Sequence, residues 1–203
     1  MQIVDIFAIA IVLFSAVAHE VAHGYTANKL GDPTARLAGR ITLNPVKHID
    51  PIWSVFLPVV LALSGAPLFA MAKPVPVNVY NLRGKWAEAI VSAAGPLTNL
   101  ALAIFFGLMI RIIFAHVFLP VTLVQVSAII VLMNIHLALF NLLPIPPLDG
   151  SHVLFALLPY KYIAVRHFFE RYGFILLILF IFFLSDVLVP IASFLFSMIT
   201  GLR

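Results

Sequence analysis

Five stretches of the chain are nearly free of polar side chains, and short polar segments separate them. The first runs from Ile3 to Tyr25 and is closed by Gly24, Thr26, Asn28 and Lys29, a combination that ends helices. Pro51 to Met71 is apolar but interrupted by Pro58, Gly65 and Pro67. Trp86 to Phe118 and Val121 to Leu143 each reach the length of about 20 apolar residues that a helical span needs. The last run, Tyr172 to Ile199, contains Asp186 and Pro190, which bend it or turn its tail into an interfacial helix. The pattern predicts an all-α integral membrane protein, a bundle of about four to six transmembrane helices with a re-entrant or extended segment near residues 51–80. Residues 1–203 read as one membrane-embedded domain, with no internal repeat or low-complexity linker.

Charge distribution orients this bundle. Lys29, Arg36, Arg40 and Lys47 follow the first run against Asp32 and Asp50, so that face is expected to be cytoplasmic and the N-terminus outside. If Pro51 to Met71 spanned, Lys73, Arg83 and Lys85 would lie outside; a re-entrant hairpin buried against protein keeps both flanks cytoplasmic and is the favoured reading. Lys73-Pro74-Val75-Pro76-Val77-Asn78 cannot be helical, because alternate prolines remove donors and force extended geometry. Such an extended edge is suited to pairing with a peptide strand.

Composition agrees with this assignment. The chain is 63% hydrophobic and 10% charged, against about 25% charged in soluble domains. The net charge of +4 falls mainly in the short inter-run segments, which anionic lipid headgroups and the positive-inside rule explain without a nucleic-acid partner. With no Cys, a disulfide framework and a thiolate metal site are excluded. The N-terminus lacks the basic region of a cleavable signal peptide, so the first run is expected to stay in the mature protein.

The first run carries His19-Glu20-Val21-Ala22-His23. Residues four apart on a helix share a face, so His19 and His23 can grip one zinc ion with Glu20 beside it as a base. Ionisable groups are expensive in a membrane helix, and their presence there points to function. After Val121 to Leu143 comes Asn141-Leu142-Leu143-Pro144-Ile145-Pro146-Pro147-Leu148-Asp149-Gly150, whose prolines end the helix and present Asp149 at the start of a short helical stretch running to about Leu158. An Asp in that position is commonly a helix N-cap. Its apolar surroundings, at the membrane face of the histidines, equally suit a third metal ligand. Gly95-Pro96-Leu97-Thr98-Asn99, inside the Trp86 run, fits close helix packing and a site role about equally well.

With these two motifs the chain resembles the site-2 protease family of intramembrane zinc metalloproteases. The likeness is to its compact bacterial branch without accessory domains, in which Ile41 to Pro45, Lys47 to Pro51, Ala72 to Asn78 and Ala94 to Asn99 also recur. The resemblance implies one Zn2+ per chain on His19, His23 and Asp149, Glu20 as catalytic base, and Asn141 near the reacting carbonyl. It implies hydrolysis of peptide bonds in or next to the transmembrane segments of substrate proteins, in regulated intramembrane proteolysis. It also implies a multi-pass protein of the cell membrane, the bacterial inner membrane, and the charge distribution above puts the expected active site near the cytoplasmic side. The chain departs from the branch at Trp53, at Ala70-Met71 and at His152, which is expected beside the site or facing headgroups rather than on the metal. His136 is expected to make a polar contact within the bundle.

Two rival readings are a membrane metal transporter and a catalytically inactive scaffold. A transporter calls for serial sites and inverted repeats, which are not evident, and a scaffold has no need of Glu20.

Overall fold

The computed structural model of the protein describes residues 3–50, 56, 60, 73–114 and 120–202. The helices are α1 (Ile3–Lys29), α2 (Thr34–Leu37), α3 (Ala87–Leu108), α4 (Val121–Asn141), α5 (Asp149–Leu157), α6 (Ile163–Phe183) and α7 (Leu188–Thr200). No strand occurs among the described residues.

Helix α3 is the hub, packing against α1, α4, α5 and α7. Its buried residues include Ala87, Val91, Gly95, Asn99, Ala103 and Gly107, a row at every fourth position. Small side chains along such a row let helix backbones approach closely, which is how helices associate when lipid removes the hydrophobic driving force. Pro96 lies within α3 without ending it. The apolar core is built from Ala103, Ile110, Val131, Ile135 and Ala192, with Phe106 and Leu139 packed against it. Arg111 ties the far end by donating from Nη1 to the Met198 carbonyl at 2.8 Å, near the C-terminus of α7.

Among the described residues, two helices are long and apolar enough to cross a membrane: Ala87–Ile112 and Val121–Asn141. The pair Ile163–Phe183 and Ser185–Thr200, bent by 66°, makes a third if it is one broken span. This count is lower than the expected four to six. The expected re-entrant segment 51–71 falls, but for residues 56 and 60, outside the described residues. The last run also differs from expectation: α6 begins at Ile163, nine residues before the apolar run, because Arg166 and Glu170 pair across one turn at 2.7 Å and extend the helix. The bend falls at the turn Ser185–Val187, which holds Asp186 as expected, and not at Pro190, which sits in the first turn of α7 where a missing N–H is tolerated.

Aromatic and aliphatic side chains of α6, including Phe168, Phe174, Phe182 and Phe183, are exposed. An apolar belt of this size needs a lipid-like surrounding.

The segment from Lys73 to Asn78 is extended, as its prolines require, and is tied down along its length. Lys73 N–H donates to the His48 carbonyl at 2.8 Å, and Arg40 Nη2 donates to the Lys73 carbonyl at 2.7 Å. Farther on, Asn78 N–H donates to Asp32 Oδ2 at 2.7 Å and Asn81 Nδ2 to Asp32 Oδ1 at 3.0 Å. Asp32 is fully buried. Burial alone raises a carboxyl pKa, yet the hydrogen bonds from Thr34, Asn81 and Asn78 outweigh it and hold Asp32 below its ordinary value.

Candidate metal centre

His19 and His23 stand one turn apart on α1, and both are buried. The Nε2 atoms of the two rings are 3.0 Å apart. Asp149 Oδ2 lies 3.0 Å from His19 Nε2 and 3.3 Å from His23 Nε2. The sequence left Asp149 either as a cap or as a ligand. The N-cap of α5 is Leu148, no side chain caps that helix, and the Asp149 carboxylate turns to the histidines. A Cβ on Gly150 would overlap the Leu142 carbonyl, so a glycine after Asp149 lets the proline-rich loop fold back far enough to bring the carboxylate in.

Hydrogen bonds on the far side of each ring decide what the three atoms can hold. His19 Nδ1 lies 2.6 Å from Asn99 Oδ1, and His23 Nδ1 lies 2.7 Å from the Val91 carbonyl. Both partners are acceptors, so each Nδ1 carries the ring proton and each Nε2 presents a bare lone pair. Two lone pairs and a carboxylate oxygen at 3.0–3.3 Å repel one another unless a cation lies between them. For metal bonds of about 2.0–2.1 Å, a tetrahedral site separates its ligand atoms by about 3.3 Å. The donor set therefore fits Zn2+, two imidazoles and a carboxylate with a fourth position open. These three residues are also the group of His, Asp and Glu side chains that could hold a metal among the described residues.

Gly95 provides the room. A Cβ there would meet His23 Nε2 and lie 2.6 Å from His19 Nε2. The close-packing reading and the site reading of the Gly95 to Asn99 piece thus hold together: the glycine admits the rings and Asn99, one turn on, bonds to one of them.

Glu20 is adjacent to the ligands and accepts a hydrogen bond from Val75 N–H at its Oε2, at 2.7 Å. Pro74, Val75, Val77 and Val79 form one wall of a cavity of about 540 Å³ that also contains His19, Glu20, His23 and Asp149. Asn141 lines the same cavity, its Nδ2 donating to the Leu137 carbonyl of its own helix at 2.9 Å. His152 reaches the cavity too and is paired with Glu88 at 3.2 Å, clear of the ligand set. His136 bonds to the Leu132 carbonyl in its own helix at 2.9 Å and does not line the cavity.

Sequence reasoning missed Asn99 as the partner of His19, the Val91 carbonyl as the partner of His23, and Asn134. The signal for Asn134 was an amide well inside an apolar helix, where a polar side chain needs a partner.

A sequence model of Peptidase family M50 matches residues 109–184, which include the Asn141 to Gly150 motif. YwhC of Bacillus subtilis strain 168, named as a candidate zinc metalloprotease, is 38% identical over 184 residues, covering 86% of this chain and 80% of that protein. Rip2 of Mycolicibacterium smegmatis, named in the same way, is 36% identical over 157 residues, covering 74% of this chain and 57% of that protein. A third such protein, MJ0611 of Methanocaldococcus jannaschii, is 47% identical over 66 residues, 32% of this chain and 31% of its own length. No solved structure matches the chain.

Proposed function

The chain belongs to peptidase family M50, the site-2 protease family of zinc metalloproteases, and from that premise we propose that it is an intramembrane metalloendopeptidase. It hydrolyses peptide bonds in or next to the transmembrane segments of other membrane proteins. The observation that carries the reading is the convergence of His19, His23 and Asp149, from two motifs 130 residues apart, beside a carboxylate not spent on the ligand set.

In this reading His19, His23 and Asp149 hold one Zn2+. When bound, zinc polarises the scissile carbonyl and lowers the pKa of water to about 7. Glu20 does the proton work. The Val75 N–H fixes one carboxylate oxygen, which leaves the other to take a proton from water and pass it to the leaving amine. Asn141, on the cavity wall, supplies an amide donor to the reacting carbonyl once its intrahelical bond is exchanged.

The rest of the cavity is largely apolar, lined by residues such as Leu82, Val91, Leu137, Phe140 and Leu177. That suits an apolar substrate whose helix has opened, since a helical backbone keeps its carbonyls engaged. The extended wall from Lys73 to Asn78 is the segment along which such a peptide lies. Val75 N–H is committed to Glu20, so pairing there uses the Val75 carbonyl and the backbone of Val77.

In the same reading the protein is a multi-pass protein of the cell membrane, one membrane-embedded domain with its site near the cytoplasmic side. The exposed cations Lys29, Arg36, Lys47, Lys73, Arg83 and Lys85 support this orientation, since they belong to the segments that follow the histidine end of α1 and wall the cavity.

The test is cleavage of a transmembrane peptide reconstituted with the protein in vesicles. Wild type should cleave it, and Glu20→Gln should lose at least about 100-fold in rate while keeping its zinc. Undiminished cleavage by Glu20→Gln would refute the mechanism.

A further inference from the structure

Behind His19 a chain of hydrogen bonds runs through the bundle to a point no motif reaches. Asn99 is fully buried, with Oδ1 on His19 Nδ1 and Nδ2 donating to Asn134 Oδ1 at 2.9 Å and toward the Ser15 carbonyl at 3.4 Å. Asn134, also fully buried, donates from Nδ2 to the Ile130 carbonyl at 2.8 Å and to Ser15 Oγ at 2.9 Å.

This chain has a direction, and the Ile130 carbonyl sets it. A backbone carbonyl only accepts, so the nitrogen end of the Asn134 amide faces it and the oxygen end faces Asn99. That oxygen accepts, so Asn99 must present its nitrogen to Asn134 and its oxygen to His19. The His19 proton is then held on Nδ1, and Nε2 is left as the bare ligand atom. An asparagine at 99 does not secure this by itself, and the Ser15 carbonyl, which also faces its nitrogen, is a longer and weaker partner at 3.4 Å than Asn134 Oδ1 at 2.9 Å. Rotated by half a turn, its amide would offer an N–H to His19, favouring the ring tautomer with a lone pair on Nδ1 and a proton on Nε2, which cannot bind metal.

We propose that Asn134 is a positioning residue of the metal centre, acting through Asn99 to hold His19 in its metal-binding tautomer. The inference rests on the zinc reading above and adds to it a residue on a helix, α4, whose part before Asn141 carries none of the ligands. Outer partners of metal-bound histidines commonly change metal affinity by about 10–100-fold when removed.

The alternative role for Asn134 is to join α4 to α1 and α3 by hydrogen bonds alone. A second substitution separates the two roles. Asn99→Asp places an acceptor at both ends of the side chain, so His19 Nδ1–H is satisfied whichever way it rotates, and the information from Asn134 is no longer needed.

The measurement is the dissociation constant for zinc, by chelator competition on detergent-purified protein, with Co2+ absorption as a spectroscopic check of the ligand set. It is made for wild type, Asn134→Leu, Asn99→Asp and the double variant; Asn134→Ala replaces Leu if the larger side chain prevents folding. Unfolding of the metal-free proteins is followed alongside. Asn134→Leu should weaken zinc by about 10–100-fold, and in the Asn99→Asp background its effect should fall below about threefold. Equal losses in both backgrounds, or unchanged affinity with only a lower unfolding midpoint, would overturn the inference while leaving the zinc reading standing. A wild-type protein that binds no zinc would overturn both, and so is told apart.

Discussion

Val75 donates its backbone N–H to Glu20 Oε2 at 2.7 Å, joining an extended segment to the carboxylate beside the metal centre across 55 residues of sequence. Val75 is buried and flanked by Pro74 and Pro76, which have no N–H to offer in its place. The segment that walls the cavity and the carboxylate proposed to handle the proton are therefore held in one frame.

Removing that single donor should uncouple them. Val75→Pro keeps an extended backbone but deletes the N–H, and we expect peptide cleavage to fall about tenfold or more because a general base acts only when aimed at its proton. Zinc content should be unchanged. Cleavage kinetics and metal analysis on the same preparation check it, and loss of zinc in this variant would assign the segment to holding the metal centre instead.

Gly95→Ala should act on the metal and leave the base intact. The added Cβ would meet ring atoms of both histidines, with the Asn99 amide and the Val91 carbonyl on their far sides, so the rings must leave their positions. A loss of zinc affinity of at least about 10-fold is expected, with α3 still helical because Ala favours helix over Gly. Affinity equal to wild type would show that the rings can retreat and that the site is wider than its distances indicate.

Asp32 gives a pH dependence. Its carboxyl, held below its ordinary value by hydrogen bonds that outweigh burial, binds a proton less readily in the folded state than in the unfolded state, where the value is about 3.9. The stability it contributes is complete above that unfolded value and is lost as pH falls through the lower folded value. Thermal unfolding between pH 7 and pH 3 should therefore show wild type losing stability below about pH 4. The substitution Asp32→Asn should lower the midpoint at pH 7 and flatten the acid limb. An acid limb of the same steepness in that variant would mean other carboxylates carry it.

The candidate metal ligands were legible in the sequence because each depends on local order. His19 and His23 share a face by helical periodicity alone, and Asp149 stood out as a charge among apolar neighbours after a run of prolines. The extended course of Lys73 to Asn78 was legible for the same reason, since proline sets its backbone locally. What was not legible depends on helix packing. Asn99 meets His19 across 80 residues, and Asn134 meets Asn99 across 35; no spacing rule relates such positions. The Val91 and Val75 partners are backbone groups, which every residue carries, so side-chain identity gave no sign of them. Of the two residues expected to bend the last apolar run, Asp186 lies in the turn where the bend occurs, whereas Pro190, which reads as a breaker, sits in the first turn of α7 and is compatible with the helix.

The central claim is that two motifs 130 residues apart form one zinc site. Its most direct test is the zinc content of protein purified in mild detergent without chelator, for wild type, His23→Ala and Asp149→Ala. The account predicts about one zinc per chain in wild type and its loss in both variants, since each removes one of three protein ligands. Zinc retained in Asp149→Ala, or absent from wild type, would contradict it.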